Sequence, residues 1–256
     1  MKFYLPSYDE CLTIVKSNPH GCFYERGHVV DDYEISIFSY RNAKHNNFMM
    51  PLQNEQVNAL EMKGLVFVFN DDKTVYKRYL MLHKFWEIDQ YEHCMKDLYK
   101  DIPVKNITVK EDGFLVSFIR LPNSVIVSNT KNGFYDDINV MANEFLQNKD
   151  YFNFISSCLD KDIRPIFELV IPNRKFVKYN ETSLILTKLR CNVTGKYLDL
   201  DGITEVPVVD RFKMSLDEVY RIKDHVRDLE GWVVHFIDDS IIKVKTKFWR
   251  DLKDEY

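Results

Sequence analysis

The strongest constraint on this chain is a series of short β-branched and aromatic runs closed by polar turn residues, interrupted by one stretch of helical period. The runs lie at 33–40 (YEISIFSY), 64–69 (GLVFVF), 114–119 (FLVSFI), 124–128 (SVIVS), 164–171 and 183–189, and they predict antiparallel sheet. Between 137 and 159 the period changes. Ile138, Met141, Phe145, Phe152, Ile155 and Leu159 recur at three, four or seven residues, which predicts a helix with one buried face, broken near Asn148-Lys149. A second helix is predicted from about 216 to 226: Ser215 and Glu218 form a capping box, and Val219, Ile222 and Val226 face inward. The last element reads as a hairpin, 231–237 and 241–246, turning at Asp238-Asp239-Ser240. The class is α+β, antiparallel sheets flanked by helices.

No repeat or Pro/Gly/Ser-rich linker divides the 256 residues, so one continuous domain is expected. No apolar run reaches the roughly 18–20 residues of a membrane span, and Met1-Lys2-Phe3-Tyr4 leads into no apolar leader segment. A cytoplasmic protein with no membrane partner is expected. Five cysteines, odd in number and without a Cys-x-x-Cys pair, predict reduced thiols and no structural metal. The seven histidines are scattered and receive no catalytic or metal role. A net charge of −4 excludes a wholly basic nucleic-acid coat but leaves room for local basic patches.

The chemistry starts at Lys110-Glu111-Asp112-Gly113, ahead of an apolar strand. Alone, this reads equally well as a surface turn. Four of the eight glycines, Gly64, Gly113, Gly133 and Gly231, follow or closely trail a charged residue beside an apolar strand, where a backbone can approach a ligand. In Lys243-Val244-Lys245, strand geometry puts both ammonium groups on one face and Ile242, Val244 and Thr246 on the other. Two like charges on one face need an anion or solvent, and the competing reading is a solvated edge strand protected by lysine. Glu230 lies upstream across the hairpin turn, and Glu168 sits in an apolar strand where an unpaired charge is costly. A structural ion pair accounts for either.

In their order these motifs resemble the covalent nucleotidyltransferases, and within them the ATP-dependent RNA ligase 1 family of bacteriophages. Lys110-Glu111-Asp112-Gly113 is similar to motif I, Asn129-Thr130-Lys131-Asn132-Gly133 to motif III, and Phe167-Glu168-Leu169-Val170 to motif IIIa. Glu230-Gly231-Trp232-Val233 is similar to motif IV and Ile242-Lys243-Val244-Lys245 to motif V. Phe38-Ser39-Tyr40, residues 61–67, His83-Lys84-Phe85-Trp86 and Val140-Met141-Ala142-Asn143 resemble further signatures of that family, so nearly the whole chain is covered. Two departures stand out. Lys63-Gly64 replaces the family's usual Arg-Gly, losing a bidentate phosphate fork. The chain also stops at Tyr256, so the family's helical C-terminal domain is expected to be absent and the chemistry to survive without it.

The resemblance implies a single ligase-type nucleotidyltransferase domain over 1–256, with a family-specific N-terminal region of about 100 residues. It implies three steps: attack of Lys110 on the α-phosphorus of ATP, transfer of AMP to an RNA 5′-phosphate, and displacement of AMP by an RNA 3′-hydroxyl. A free lysine with a pKa near 10.4 is protonated at neutral pH, so nearby cations are expected to depress Lys110. Lys243 and Lys245 are the expected agents, stabilising the α-phosphate as well. By the same resemblance, Lys63, Lys84 and Lys131 bind ATP phosphates or the RNA end, Glu168 contacts the adenosine side, and Asp112 and Gly113 belong to the nucleotide site. Glu230 would hold Mg2+ or Mn2+. Phe85 or Trp86 would stack on a ligand or pack. The implied partners are RNA with 5′-phosphate and 3′-hydroxyl ends, in RNA or tRNA repair beside an end-healing kinase/phosphatase. The alternatives are a catalytically silent binder of RNA ends or adenylate, and a GTP-using capping enzyme.

Overall fold

The apolar runs pair into three sheets in the computed structural model, which describes residues 3–17, 21–48 and 59–255. Strands β1 (Phe23–Val30), β2 (Tyr33–Tyr40), β3 (Leu65–Phe69) and β4 (Val75–Tyr79) form the first sheet in sequential order. Strands β5 (Trp86–Glu87) and β6 (Val104–Lys110) open the second sheet. The third consists of β7 (Phe114–Arg120), β8 (Ile126–Thr130), β9 (Ile163–Val170), β10 (Ser183–Cys191) and β11 (Tyr197–Leu198), ordered β11-β10-β9-β7-β8. Strands β12 (Arg211–Phe212), β13 (Gly231–Phe236) and β14 (Ile241–Lys245) complete the second sheet, ordered β12-β6-β13-β14-β5. All pairings between these strands are antiparallel except β14 with β5.

The helices are α1 (Tyr8–Ser17), α2 (His45–Phe48), α3 (Asp137–Glu144), α4 (Lys149–Asp160), α5 (Leu216–Ile222) and α6 (Lys247–Asp254). The helix expected over 137–159 is indeed broken: a 3-10 turn at Phe145–Gln147 separates α3 from α4. Asn148 then caps α4 by accepting the Asp150 backbone N–H, and Tyr151, Ile155, Cys158 and Leu159 form its buried face. The Ser215/Glu218 capping box is present at α5, but the helix ends at Ile222, short of the expected Val226. Val226 continues in a turn and still packs on the core. No disulfide joins the five cysteines, and no helix among the described residues is long and apolar enough to cross a membrane.

Strand β6 was not expected, because VKNITVK reads as polar. It lies between β12 and β13, with Ile107 and Val109 buried, while Thr108 and Lys110 line a cavity that hides the alternation from sequence. The largest core joins the first and third sheets: Ile35, Ile37, Val66 and Val68 meet Val116, Phe118, Phe167 and Leu169, with α3 and α4 adding Ile138 and Ile155. A separate core built on Trp232, Val234, Ile242 and Val244 backs the second sheet.

One buried ion pair ties the N-terminal region to the third sheet. Arg190 on β10 donates from Nη1 and Nη2 to the Glu61 carboxylate at 2.7 and 2.6 Å, two residues before Lys63. Removing one partner leaves a charge buried alone, so Glu61→Ala is expected to cost about 3–5 kcal/mol in denaturant unfolding. An unchanged midpoint would show that Arg190 finds other compensation.

Candidate active site

Register alone gathers the key groups of the second sheet. Gly231 on β13 pairs with Lys110 on β6 on one side and with Lys245 on β14 on the other. The preceding Glu230 therefore reaches both lysines: its Oε2 accepts from Lys110 Nζ at 2.7 Å, and its Oε1 lies 3.4 Å from Lys245 Nζ. Lys243 projects to the same side, while Ile242 and Val244 enter the core. β5 pairs with β14 at Ile242 and Lys243, so Lys243 is not on an open sheet edge. Lys245 lies beyond that pairing and is covered instead by α6, its ammonium 3.5 Å from the centroid of the Trp249 ring.

The remaining walls come from the other sheets and their connections. Glu168 on β9, opposite Leu115 on β7, enters from the third sheet. Lys131 follows β8, and Lys63 and Lys84 come from the segments flanking β3 and β5. Together they enclose a cavity of about 320 Å³ lined by seven lysines and three glutamates. Eight of the ten residues singled out in the sequence line it: Lys63, Lys84, Lys110, Lys131, Glu168, Glu230, Lys243 and Lys245.

Asp112 and Gly113 are not among the lining residues. The Asp112 carboxylate accepts the backbone N–H groups of Phe176 at 2.9 Å and Val177 at 3.1 Å, which anchors the loop after β9. A Cβ on Gly113 would lie 2.5 Å from the Leu169 carbonyl oxygen, and one on Gly64 2.7 Å from the Lys131 Cα. These glycines let segments of the chain approach one another, a different use from the ligand approach expected of them. Trp86 packs in a core cluster, and Phe85 lines the cavity 5.5 Å from Lys63 Nζ.

The sequence reading missed Tyr40 as a wall, with the Lys84 and Lys131 ammonium groups 5.4 and 5.6 Å from its ring centroid. It also missed Thr108 and Lys188. Lys188 is buried, its Nζ 3.4 Å from Thr108 Oγ1. A lysine inside the apolar strand SLILTKLRC was the available signal. Among the described residues no histidine lines the cavity; His83 bonds Tyr197 Oη at 2.8 Å, and His20 lies outside the described residues.

The electrostatics depart from expectation at Lys110. Burial pulls its pKa down, but the Glu230 carboxylate, then Glu168 and Asp112, outweigh this and hold it above the ordinary lysine value. The depression falls on its neighbours. Burial and the charges of Lys110 and Lys84 push Lys63 to about 7. Burial together with Lys84, Lys110 and Lys63 pushes Lys243 well below the ordinary value. Burial, then Arg211, brings Lys188 to about 7. Glu168 rises to about 7, chiefly through burial.

These shifts carry a pH dependence. Lys63, Lys188 and Lys243 stay protonated in the unfolded chain to near 10.4, so above about pH 7 the unfolded state binds more protons than the folded one. Stability of the ligand-free protein is therefore expected to rise from pH 7 to about 8.5, before the buried thiols of Cys11 and Cys158 begin to act in the opposite sense. Thermal unfolding at pH 7.0, 7.8 and 8.5 measures it; a falling midpoint would mean these lysines are charged in the fold.

Residues 61–253 match the T4-type family model described as RNA ligase. The chain belongs to that RNA ligase family. A protein of Thermovibrio ammonificans provisionally named as an RNA ligase is 24% identical over 233 residues, covering 86% of this chain and 58% of the relative. Two solved archaeal structures, ATP-dependent RNA ligase form 2 and form 1, match at 14% identity with TM-scores of 0.61 and 0.57. They cover 94% and 91% of this RNA ligase-family chain and 62% and 60% of their own lengths. The likeness shows that this chain shares their fold of mixed helices and antiparallel sheets. The chain spans about three fifths of the length of these relatives.

Proposed function

We propose that the chain is an ATP-dependent RNA ligase that adenylylates itself on Lys110, passes AMP to an RNA 5′-phosphate and seals that end to a 3′-hydroxyl. The observation that carries this reading is the pairing of Lys110 with Glu230 inside a cavity whose seven lysines outnumber its carboxylates. A crowded, half-buried excess of lysines is costly without a polyanion to meet it, and a nucleoside triphosphate supplies one.

Lys110 rests as an ammonium on Glu230 and must lose a proton to become a nucleophile. Glu230 Oε2, 2.7 Å from Nζ, is placed to take that proton. The freed amine then forms the N–P bond to the α-phosphorus while the bond to the pyrophosphate oxygen breaks. Lys243 and Lys245 stand where the α-phosphate gains charge, and Lys63, Lys84 and Lys131 take the remaining phosphates. By the family resemblance Glu168 contacts the nucleoside. Among the described residues no group of three His, Cys, Asp or Glu could cage a metal. The donor set fits an ion that arrives on the triphosphate, keeps its waters and meets Glu230 as its one protein carboxylate. Bound Mg2+ or Mn2+ would neutralise phosphate charge. The substrate class is RNA with a 5′-phosphate and 3′-hydroxyl, as in repair of broken RNA, including tRNA, behind an end-healing enzyme.

The test is incubation of pyrophosphate-stripped protein with ATP labelled at the α-phosphate, followed by addition of 5′-phosphorylated RNA. Covalent label, unaffected by excess unlabelled GTP, and joined RNA are the expected results. Absence of covalent label favours a silent binder, and competition by GTP favours a capping-type enzyme.

A further inference from the structure

Beside the cavity runs a second concave surface that the proposed reaction does not use. Residues 173–178 (NRKFVK), between β9 and β10, place Arg174, Lys175 and Lys178 within six positions of a chain whose net charge is −4. With Phe248 of α6 and Asp228 they line an open groove of about 720 Å³, large enough for a nucleotide-sized ligand. Phe176 is half-buried in the same wall.

The groove is tied to the lysine-rich cavity by direct contacts. Asp112, two residues after Lys110, holds the Phe176 and Val177 backbone N–H groups. The Phe176 ring meets Trp249 edge-on at 5.7 Å, and the Trp249 ring lies against Lys245. Lys175 sits 4.2 Å from the Phe114 ring centroid. The groove thus sits next to the cavity without sharing a lining residue, and Phe176 and Trp249 link its wall to Lys245.

We infer that this groove seats the single-stranded RNA whose 5′-phosphate enters the cavity, with phosphates on Lys175 and Lys178 and bases against Phe176 and Phe248. Single-stranded RNA presents both an anionic backbone and exposed π-faces, which is what this lining can meet. A protein partner of the usual kind would call for an interface centre depleted of charge. The inference rests on the RNA ligase reading above and extends it to the path of the RNA.

The test uses the whole chain and a 5′-phosphorylated oligouridylate with a 3′ dye, followed by anisotropy from 50 to 200 mM salt. The double variant Lys175→Ala/Lys178→Ala is expected to bind at least about tenfold more weakly at low salt. Its log-affinity slope against log salt should be shallower by about 1.4, the share of two phosphate contacts on a single strand. Phe248→Ala is expected to weaken binding about fivefold or more through lost stacking, with the slope unchanged. Both should retain wild-type unfolding midpoints and wild-type self-adenylylation with ATP alone. Wild-type RNA affinity and slope in folded variants would overturn the inference and leave the groove to a protein partner. A parallel loss of adenylylation would also overturn it, making the loop part of the nucleotide pocket. Should the wild-type chain fail to take label from ATP while the double variant still loses RNA binding, the ligase reading falls and the groove stands.

Discussion

Lys110→Ala is expected to abolish covalent AMP attachment while sealing of pre-adenylylated RNA persists, because the last step needs no enzyme nucleophile. Lys110→Arg should fail equally at attachment, since a guanidinium stays protonated at any accessible pH. The geometry sharpens this expectation. Lys110 is the cavity lysine placed 2.7 Å from Glu230 Oε2 and aligned with Gly231 and Lys245 across the sheet. Mass spectrometry of the intact chain after incubation with ATP reads the outcome directly. Robust phosphoramidate formation by either variant would move the nucleophile to another lysine of the cavity, Lys63 and Lys243 being the first candidates because burial favours their neutral forms.

Lys243→Ala and Lys245→Ala are each expected to slow adenylylation by on the order of 10²-fold or more, the scale of one preorganised charge contact. The two should differ in stability. Lys243 is half-buried among like charges with no carboxylate paired to it among the described residues, so its removal should leave the unfolding midpoint unchanged or raise it. Lys245 is paired with Glu230 and lies against Trp249, so its removal should cost about 0.5–2 kcal/mol of stability. Single-turnover kinetics and thermal unfolding on the same preparations separate chemistry from folding. Normal turnover in the surviving folded fraction would reduce both lysines to structural roles.

Local pattern carried much of the fold. β-branched and aromatic runs marked β2, β3, β7, β9 and β10 within a few residues, and the Ser215/Glu218 box marked the start of α5, because these signals depend on neighbours in sequence. The strand that bears Lys110 escaped for a physical reason: its cavity face is polar, so a central strand mimics a solvated segment. Strands β1 and β4 escaped likewise, each carrying charged residues along its length.

For the site, residue type and order determined which side chains to gather: a lysine before Asp-Gly, a lysine pair one residue apart, a glutamate in an apolar strand and another just ahead of the closing hairpin. Spacing along strands put Lys243 and Lys245 on one face without any structure. Only the tertiary structure decided what each group does there. Register across β6, β13 and β14 set Glu230 between Lys110 and Lys245, which keeps the expected nucleophile charged and shifts the depressed pKa values onto Lys63 and Lys243. The packing of the three sheets turned Asp112 toward the loop after β9 and brought Tyr40, Thr108 and Lys188 into the wall. A pKa depends on burial and on charges a few ångströms away, and those distances are set by the packing of strands far apart in the chain.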